Sequence, residues 1–145
     1  PYFWELKGQV LYENGRATDA VGAYERSVAL APNSALIRIG LARAYLEQGT
    51  DADRTKARDA LKEAVRLEET NSGAWRLLGI AEGQLGNANE ADLALAEHAV
   101  LTRNKRDARL YLSRVEPRMN EGDAGWFRLQ DLKRMAAEID DPPRR

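Results

Sequence analysis

Residues 75–86 read WRLLGIAEGQLG, with tryptophan first, glycine at the fifth position and another glycine at the end. The same pattern occurs 71 residues earlier, where residues 4–15 read WELKGQVLYENG. Because residues of different types agree at one offset, the agreement indicates an internal repeat. The register extends into the next segment. The residues that correspond at this offset are Trp75 and Trp4, Gly79 and Gly8, Gly86 and Gly15, Ala91 and Ala20, and Leu95 and Tyr24.

A middle copy divides this offset into one repeat of 34 residues and one of 37. Its first half is in step with the first copy, whereas its second half is displaced by three residues. The displacement predicts an insertion within residues 50–56, at the turn between two helices. The matching positions are Leu41, Ala42, Tyr45 and Gly49, followed by Ala57, Leu61 and Ala64.

Small and aromatic residues recur at fixed places in this pattern. Small residues such as Gly8 and Gly79 let two helix backbones approach closely, and aromatic residues such as Trp4 and Tyr45 fill the space beside them. The pattern resembles the tetratricopeptide repeat (TPR), a helix–turn–helix unit of 34 residues whose apolar face is buried only when at least three units stack. We therefore expect an all-α fold, an α-α superhelix (solenoid) of three TPR-like helix pairs plus two C-terminal helices.

The composition favours a helical fold and argues against two classes of partner. Alanine occurs 23 times, whereas Val, Ile and Thr together number 15, a balance that favours helix over sheet. The 22 basic and 23 acidic residues give a formal net charge of −1. Such a balance argues against nucleic acid as a partner and against strong attraction to an anionic membrane. The expected partner is a protein or peptide.

Cysteine is absent from the chain, which excludes disulfides and thiol nucleophiles. The longest uncharged run, residues 27–37, contains Pro32 and is too short to span a bilayer, so membrane insertion is not expected. No signal peptide is predicted. Helical periodicity begins almost at Pro1, which suggests a piece excised from a longer protein.

Apolar periodicity, cap residues and glycine stops predict eight helices in a single domain over residues 1–140. Asp51 and Asp53 are interpreted as helix caps, because the glycine and glutamate of a calcium loop are missing. Asp123 is expected to cap the last helix and Trp126 to be buried. The predicted helices are about 2–14, 17–31, 35–48, 54–68, 73–86, 89–102, 106–116 and 123–139. The repeats span about 1–33, 34–71 and 72–104, the extra helices lie within 105–117 and 123–139, and residues 141–145 are expected to be a disordered tail.

No catalytic or metal-binding residues are predicted in this chain. His98 is the only histidine, and no second metal ligand stands at helical spacing from it. It aligns with Ser27 and Ala64, where a TPR second helix packs a small residue, so a structural role is favoured. No cofactor is expected here.

Two surfaces are candidates for binding. A docking patch for an acidic protein surface or lipid headgroups is one interpretation of Arg103, Arg106, Arg109 and Arg114; a solvated helix face is the other. The concave groove of first helices is the second candidate, in which Tyr12, Arg43 and Arg76 are expected to contribute most. Alternatively, the two groove arginines pair with glutamates on a solvated wall. The groove positions are Glu5, Gln9, Tyr12, Leu36, Ile39, Arg43, Glu47, Arg76, Ile80 and Gln84.

TPR co-chaperones that hold a partner's terminal carboxylate resemble one another in placing Lys, Asn, Asn, Lys and Arg at set groove positions. The corresponding residues here are Glu5, Gln9, Gly40, Gly73 and Leu77. The clamp is therefore absent, and binding of a chaperone tail is disfavoured.

A narrower resemblance covers nearly the whole chain. Residues 1–15, the run AWRLLGIA from residue 74 and the run DLALAE from residue 92 are similar to the C-terminal TPR region of bacterial periplasmic zinc metallopeptidases, including the β-barrel assembly-enhancing type. Glu82 departs from that family, whose members usually have an aromatic residue there. The resemblance implies a periplasmic location, and zinc only in a separate N-terminal catalytic domain of the same chain.

From these observations the expected function is non-catalytic: a protein-interaction and regulatory module, the TPR domain of a zinc metalloprotease in envelope protein quality control. Its expected partners are that protease domain and envelope proteins. The alternative is a free-standing TPR scaffold in envelope or secretion-system assembly.

Overall fold

The computed structural model describes residues 1–140, and the predicted tail at 141–145 lies outside them. Within the described part there are eight α-helices, one 3₁₀ turn at Glu116–Arg118 and no strand. The expected all-α solenoid is confirmed. The helices are α1 (Tyr2–Glu13), α2 (Ala17–Leu30), α3 (Ala35–Gln48), α4 (Asp51–Leu67), α5 (Ser72–Gln84), α6 (Ala88–Leu101), α7 (Lys105–Val115) and α8 (Trp126–Ala137).

Side-chain caps fix where the repeats begin. The Ser34 hydroxyl accepts from the Ile37 amide over 3.3 Å, and the Asn71 side chain accepts from the Ala74 amide over 3.0 Å at the start of α5. These bonds satisfy amides that have no partner within the helix. Gly49 ends α3 with a φ of 75°, a left-handed conformation that glycine adopts without strain.

The three-residue insertion lengthens a helix instead of a loop. Thr50 caps α4 and forms a capping box with Asp53, since each side chain bonds to the other residue's backbone amide. Helix α4 consequently begins at Asp51 and not at Arg54 as expected, and it has 17 residues against 14 in α2. The capping role predicted for Asp53 is confirmed.

Consecutive helices pack against each other throughout, and α3 also contacts the first helices on either side of it, α1 and α5. The Tyr24 ring of α2 lies between two of them. A Cβ atom added at Gly8 would lie 2.8 Å from Tyr24 Cδ2, and one added at Gly40 would lie 2.5 Å from Cε1. Glycine at these positions therefore permits the close approach on which the groove depends.

The core has two parts. One lies among α2 to α6, and the other joins α6, α7 and α8. In the second part Leu129 and Leu132 are fully buried, whereas Trp126 is only partly buried. The expectation that Asp123 caps α8 is wrong: its carboxylate accepts from the Asn120 amide over 2.7 Å within the preceding loop, and Gly125 is the cap position.

Candidate functional site

A cavity of about 420 Å³ lies between α1 and α3 on the face formed by the first helices. Asn71 and Gly73, at the start of α5, line it as well. Helices α1 and α3 pack directly against each other, so side chains from both helices enclose one space. Of the predicted groove residues, Glu5, Gln9, Tyr12, Leu36, Ile39 and Arg43 line this cavity.

The cavity has an apolar interior and an exposed apolar edge. Tyr24 and Ile39 are buried, Tyr12 is half-buried, and Leu36 keeps 64% of its surface exposed. A large exposed leucine beside a buried tyrosine offers apolar area that an incoming chain can cover.

Burial and three charged side chains of the cavity act on the ionisation of Tyr24. Burial raises the pKa of Tyr24 above its ordinary value, the Glu5 and Glu13 carboxylates raise it further, and the Arg43 guanidinium lowers it. The Gln9 side chain donates to Glu13 Oε1 over 3.1 Å. The cavity therefore presents two carboxylates and one guanidinium around an aromatic interior.

Arg43 forms no ion pair with any residue that the structure describes, and the same holds for Arg76. The expected alternative, in which these arginines pair with neighbouring glutamates, is not observed within residues 1–140. Glu82, on the same helix as Arg76, is buried and faces Arg58, with Arg58 Nε 3.5 Å from Glu82 Oε1.

The remaining predicted groove residues do not line this cavity. Arg76, Ile80 and Gln84 lie on α5, and Glu47 lies near the end of α3. The structure also adds residues that the groove prediction omitted. Tyr24 and Asn71 are not among the predicted groove residues, yet both line the cavity. The repeat register gives no signal for them, because it assigns only first-helix positions to the groove. Tyr24 lies on the second helix α2, and Asn71 lies in the turn before α5.

The basic patch is divided between two places. Arg103, Arg106 and Arg109 line a cavity of about 670 Å³ that also includes Asp140. Arg114 lies elsewhere, with its Nη1 3.6 Å from Asp92 Oδ1 and its guanidinium over the Tyr111 ring. Arg114 thus contributes to helix packing and does not belong to the same surface.

His98 is half-buried, and its Nδ1 lies 2.9 Å from the Ser72 carbonyl oxygen. Within residues 1–140 there is no group of three or more His, Cys, Asp or Glu side chains that could hold a metal ion. The same residues include no helix long and apolar enough to cross a membrane.

Comparison with protein families finds a match over residues 2–123 to the model described as the cytochrome c-type biogenesis protein H TPR domain. The chain belongs to this family of TPR domains. Comparison with curated proteins finds no match.

Solved structures of other TPR domains have the same fold. The second TPR domain of human RPAP3, solved in complex with the HSP70 peptide SGPTIEEVD, is 25% identical with a TM-score of 0.67, over 78% of this chain and 92% of that one. The first TPR of Spaghetti (RPAP3), bound to the HSP90 peptide SRMEEVD, is 20% identical with a TM-score of 0.68, over 81% and 90% of the two chains. The Arabidopsis OM64 TPR domain is 21% identical with a TM-score of 0.67, over 81% and 95%.

The general part of the predicted function is therefore confirmed. The chain is a TPR domain suited to protein–protein interaction.

Proposed function

We propose that this domain binds an extended segment of a partner protein in the cavity between α1 and α3. The proposal rests on the position of Arg43. Its side chain lines the cavity beside Tyr12 and Tyr24, and it has no ion-pair partner among the described residues. An arginine in such a place can donate hydrogen bonds to a peptide backbone or carboxylate while its planar group covers apolar area. Tyr12 and Leu36 supply the apolar contacts.

The preferred segment differs from the acidic tails that the RPAP3 domains bind in their structures. Glu5 stands where a carboxylate-clamp lysine is expected, and a second carboxylate, Glu13, lines the same cavity. Two carboxylates beside one guanidinium repel a tail that carries two glutamates and a terminal aspartate. We propose a segment with an apolar side chain for the Leu36–Tyr12 edge and a basic side chain for Glu5 and Glu13.

The family description supports a role in cytochrome c-type biogenesis, and we propose that the bound segment belongs to a protein of that process. The predicted protease parent, the role in envelope protein quality control and the periplasmic location stay predictions, and no comparison supports them over the biogenesis role. A free-standing scaffold in envelope assembly likewise stays an alternative.

Binding of tiled peptides from a c-type cytochrome, measured by fluorescence anisotropy, tests this proposal. Arg43→Ala and Tyr12→Ala are each expected to raise the dissociation constant about tenfold or more, the range for central interface residues. Arg66→Ala, an exposed arginine change on α4 away from the cavity, is the matched control and is expected to bind normally. The acidic peptide SRMEEVD is the comparator and is expected to bind weakly.

Two outcomes contradict the proposal. If both groove variants bind the selected peptides as tightly as the unchanged chain does, the segment lies on another surface. If SRMEEVD binds more tightly than every apolar and basic peptide, the proposed segment chemistry is wrong.

A further inference from the structure

A smaller cavity is lined by both helices of the third repeat, α5 and α6. It encloses about 220 Å³, and none of its lining residues belongs to the cavity between α1 and α3. Most of its surface is apolar, and one residue each from α4 and α8 completes the wall. We call it the Trp75 cavity. Its lining residues are Lys62, Trp75, Leu78, Glu82, Glu90, Leu93, Ala94, Glu97 and Arg128.

The first repeat has a cavity in the corresponding place, of about 550 Å³. Every residue of α5 and α6 that lines the Trp75 cavity has a counterpart 71 positions earlier that lines this one. The corresponding pairs are Trp75 and Trp4, Leu78 and Lys7, Glu82 and Leu11, Glu90 and Asp19, Leu93 and Gly22, Ala94 and Ala23, and Glu97 and Arg26.

Two cations of the chain itself lie over the tryptophan of the first repeat. The Lys7 Nζ atom is 5.1 Å from the centroid of the Trp4 ring, and the Arg26 guanidinium is 4.6 Å from it. Both distances are within the range of a cation–π contact. This place in the repeat therefore accommodates a cation against an indole face.

The third repeat keeps the tryptophan and lacks both cations. Leucine and glutamate stand where the first repeat has its lysine and arginine, and no cationic side chain of the described residues lies over the Trp75 ring. The ring is nevertheless held in place, because its Nε1 atom donates to the Glu69 carbonyl over 2.8 Å. An oriented indole thus lines the cavity without the cation that its counterpart has.

Glu82 adds a buried carboxylate to the same cavity. It is 2% exposed, and its Oε1 atom has no hydrogen-bond partner in the part of the chain that the structure describes. Arg58 Nε lies 3.5 Å from this atom, at the distance of an ion pair, but donates to Asp59 over 3.2 Å. Buried polar atoms nearly always have a hydrogen-bond partner. A donor supplied by a ligand would satisfy this carboxylate.

The other charges of the cavity also favour a cation. Glu90 and Glu97 contribute two further carboxylates, and Arg128 is engaged with Glu97. Lys62 lines the cavity but is exposed, and it forms no ion pair with the described residues. Three carboxylates therefore face two cations, and the charge complement of the site is positive.

We propose that the Trp75 cavity binds an alkylguanidinium, the group that ends an arginine side chain. The planar cation lies over the Trp75 ring, as Arg26 lies over Trp4, and donates to the Glu82 carboxylate. Its alkyl chain lies along the apolar wall. The group comes from an arginine of a partner protein or from a free small molecule, and two probes separate these sources. Because this site shares no residue with the cavity between α1 and α3, the failure of either proposal leaves the other standing.

The probes are agmatine, a free alkylguanidinium, and a capped peptide of glycine, arginine and glycine. The full chain, labelled with ¹⁵N, is titrated with each probe to about 10 mM at constant ionic strength. The indole Nε1–H signal of Trp75 is expected to shift with a dissociation constant of about 1 mM. The corresponding signal of Trp4 is the internal control and is expected to stay in place, because Lys7 and Arg26 already cover that ring.

Two changes test the role of charge. A peptide with citrulline in place of arginine keeps the shape of the side chain without its charge, and its dissociation constant is expected to be about tenfold higher. Glu82→Gln likewise keeps the shape of the carboxylate side chain, and the arginine peptide is expected to bind this variant about tenfold more weakly. Glu138→Gln is the matched control and is expected to bind normally, because Glu138 is exposed at the end of α8 and outside the cavity.

Urea unfolding shows whether each variant is folded. Trp75→Leu is a second variant, which leaves Glu82 in place and keeps the site testable if Glu82→Gln does not fold. Removal of the indole face is expected to weaken binding about fivefold, measured by the shift of the Leu78 amide signal.

Four results overturn the proposal. They are the absence of a Trp75 shift with both probes, equal shifts of the Trp75 and Trp4 signals, unchanged binding by Glu82→Gln, and equal binding of the citrulline peptide. The last result would mean that the cavity takes an uncharged group. Lys62→Ala tests an occupant from the chain itself: binding to this variant alone would assign the cavity to Lys62 and contradict the proposal.

The remaining results support the proposal and identify the source of the cation. Binding of the arginine peptide assigns the site to an arginine of a partner protein. Binding of agmatine without the peptide assigns it to a free small molecule.

Discussion

His98 Nδ1 lies 2.9 Å from the Ser72 carbonyl oxygen, and this contact reproduces one in the first repeat, where the Ser27 hydroxyl donates to the Pro1 carbonyl over 2.8 Å. The two pairs stand at the same repeat positions. Because a carbonyl oxygen only accepts, the Nδ1 atom of His98 carries the proton in this bond. The only histidine of the chain thus joins the second helix of a repeat to the start of its first helix.

Removing this bond is expected to weaken the third repeat. His98→Ala leaves the Ser72 carbonyl without its side-chain donor, and the expected loss in the free energy of unfolding is about 0.5–1.5 kcal/mol, the net value of one hydrogen bond. Urea unfolding followed by circular dichroism measures it. Arg76→Ala, an exposed change on the neighbouring helix, is the control. Equal stability of the two variants would mean that the His98 bond contributes nothing.

Two glycines in helix interiors are expected to respond to alanine in opposite directions. A Cβ atom at Gly79 would lie 2.7 Å from Leu95 Cγ, whereas one at Gly22 would have nothing within 4 Å. Gly22→Ala is expected to stabilise the fold by about 0.4–1 kcal/mol, because the unfolded chain loses freedom. Gly79→Ala is expected to destabilise it by about 1–3 kcal/mol through overpacking. Urea midpoints of both variants provide the comparison, and a stabilised Gly79→Ala would refute the close-packing explanation.

Two leucines at the same repeat position test whether the apolar side of α1 is uncovered in the isolated chain. Leu77 is 7% exposed and Leu6 is 61% exposed. Leu77→Ala is expected to cost about 2–5 kcal/mol of unfolding free energy, as buried leucines do. Leu6→Ala is expected to stay within about 0.5 kcal/mol of the unchanged chain. A large loss of stability for Leu6→Ala in thermal or urea unfolding would show that another element already covers this side of α1.

The repeat register is sufficient to predict the fold, because it fixes which residues face a neighbouring helix. It does not say whether that neighbour exists. Leu6 and Leu77 have the same spacing and chemistry, yet only Leu77 has a helix opposite. For the same reason Trp126 was expected to be buried, while the structure buries Leu129 and Leu132 more completely. Periodicity predicts which side of a helix is apolar, whereas the burial of that side depends on whether another element packs against it.

Contacts between distant parts of the chain account for the rest. Arg118 Nη2 lies 2.7 Å from Asp92 Oδ2, although 26 residues separate them. A charge-rich sequence gives no means of choosing this pair among many others. The same holds for the candidate groove: its first-helix residues follow from TPR geometry, whereas Tyr24 comes from the second helix α2 and Asn71 from the turn before α5.

Alkaline pH is expected to destabilise the protein through Tyr45. Burial raises the pKa of Tyr45 far above its ordinary value of 10.0, and the hydrogen bond to Glu25 raises it further; the hydroxyl donates to Glu25 Oε1 over 2.5 Å. The unfolded phenol loses its proton near pH 10, while the folded one keeps it. The native state therefore binds more protons above about pH 10, so its stability is full below that pH and falls as the pH rises.

Tyr45→Phe removes this titrating group. Its unfolding free energy is expected to decline less steeply than that of the unchanged chain between about pH 9 and about pH 11, where the unfolded tyrosine ionises. A residual decline is expected from Tyr24, whose pKa is also raised by burial. Urea unfolding at several pH values measures both slopes, and identical slopes would exclude Tyr45 as the cause.

The ion pair between Arg128 and Glu97 is expected to hold α8 against the third repeat. Glu97 is 3% exposed on α6, and Arg128 Nε of α8 donates to its Oε1 atom. Arg128→Ala leaves a buried carboxylate without its donor, and the expected cost is about 1.5–3 kcal/mol, the range for hydrogen bonds to charged groups. Arg134→Ala is the matched control on the same helix, because Arg134 is exposed and its pair with Asp131 is worth about 0–1 kcal/mol.

Hydrogen exchange decides whether the loss is confined to α8. In Arg128→Ala the amides of Leu129 and Leu132 are expected to exchange faster, while those of α3 keep their protection, because the second core part is formed by α6, α7 and α8 alone. Adding Glu97→Gln to Arg128→Ala removes the unpaired charge and is expected to restore part of the stability. If Arg128→Ala and Arg134→Ala unfold at the same urea concentration, α8 is held by its leucines alone.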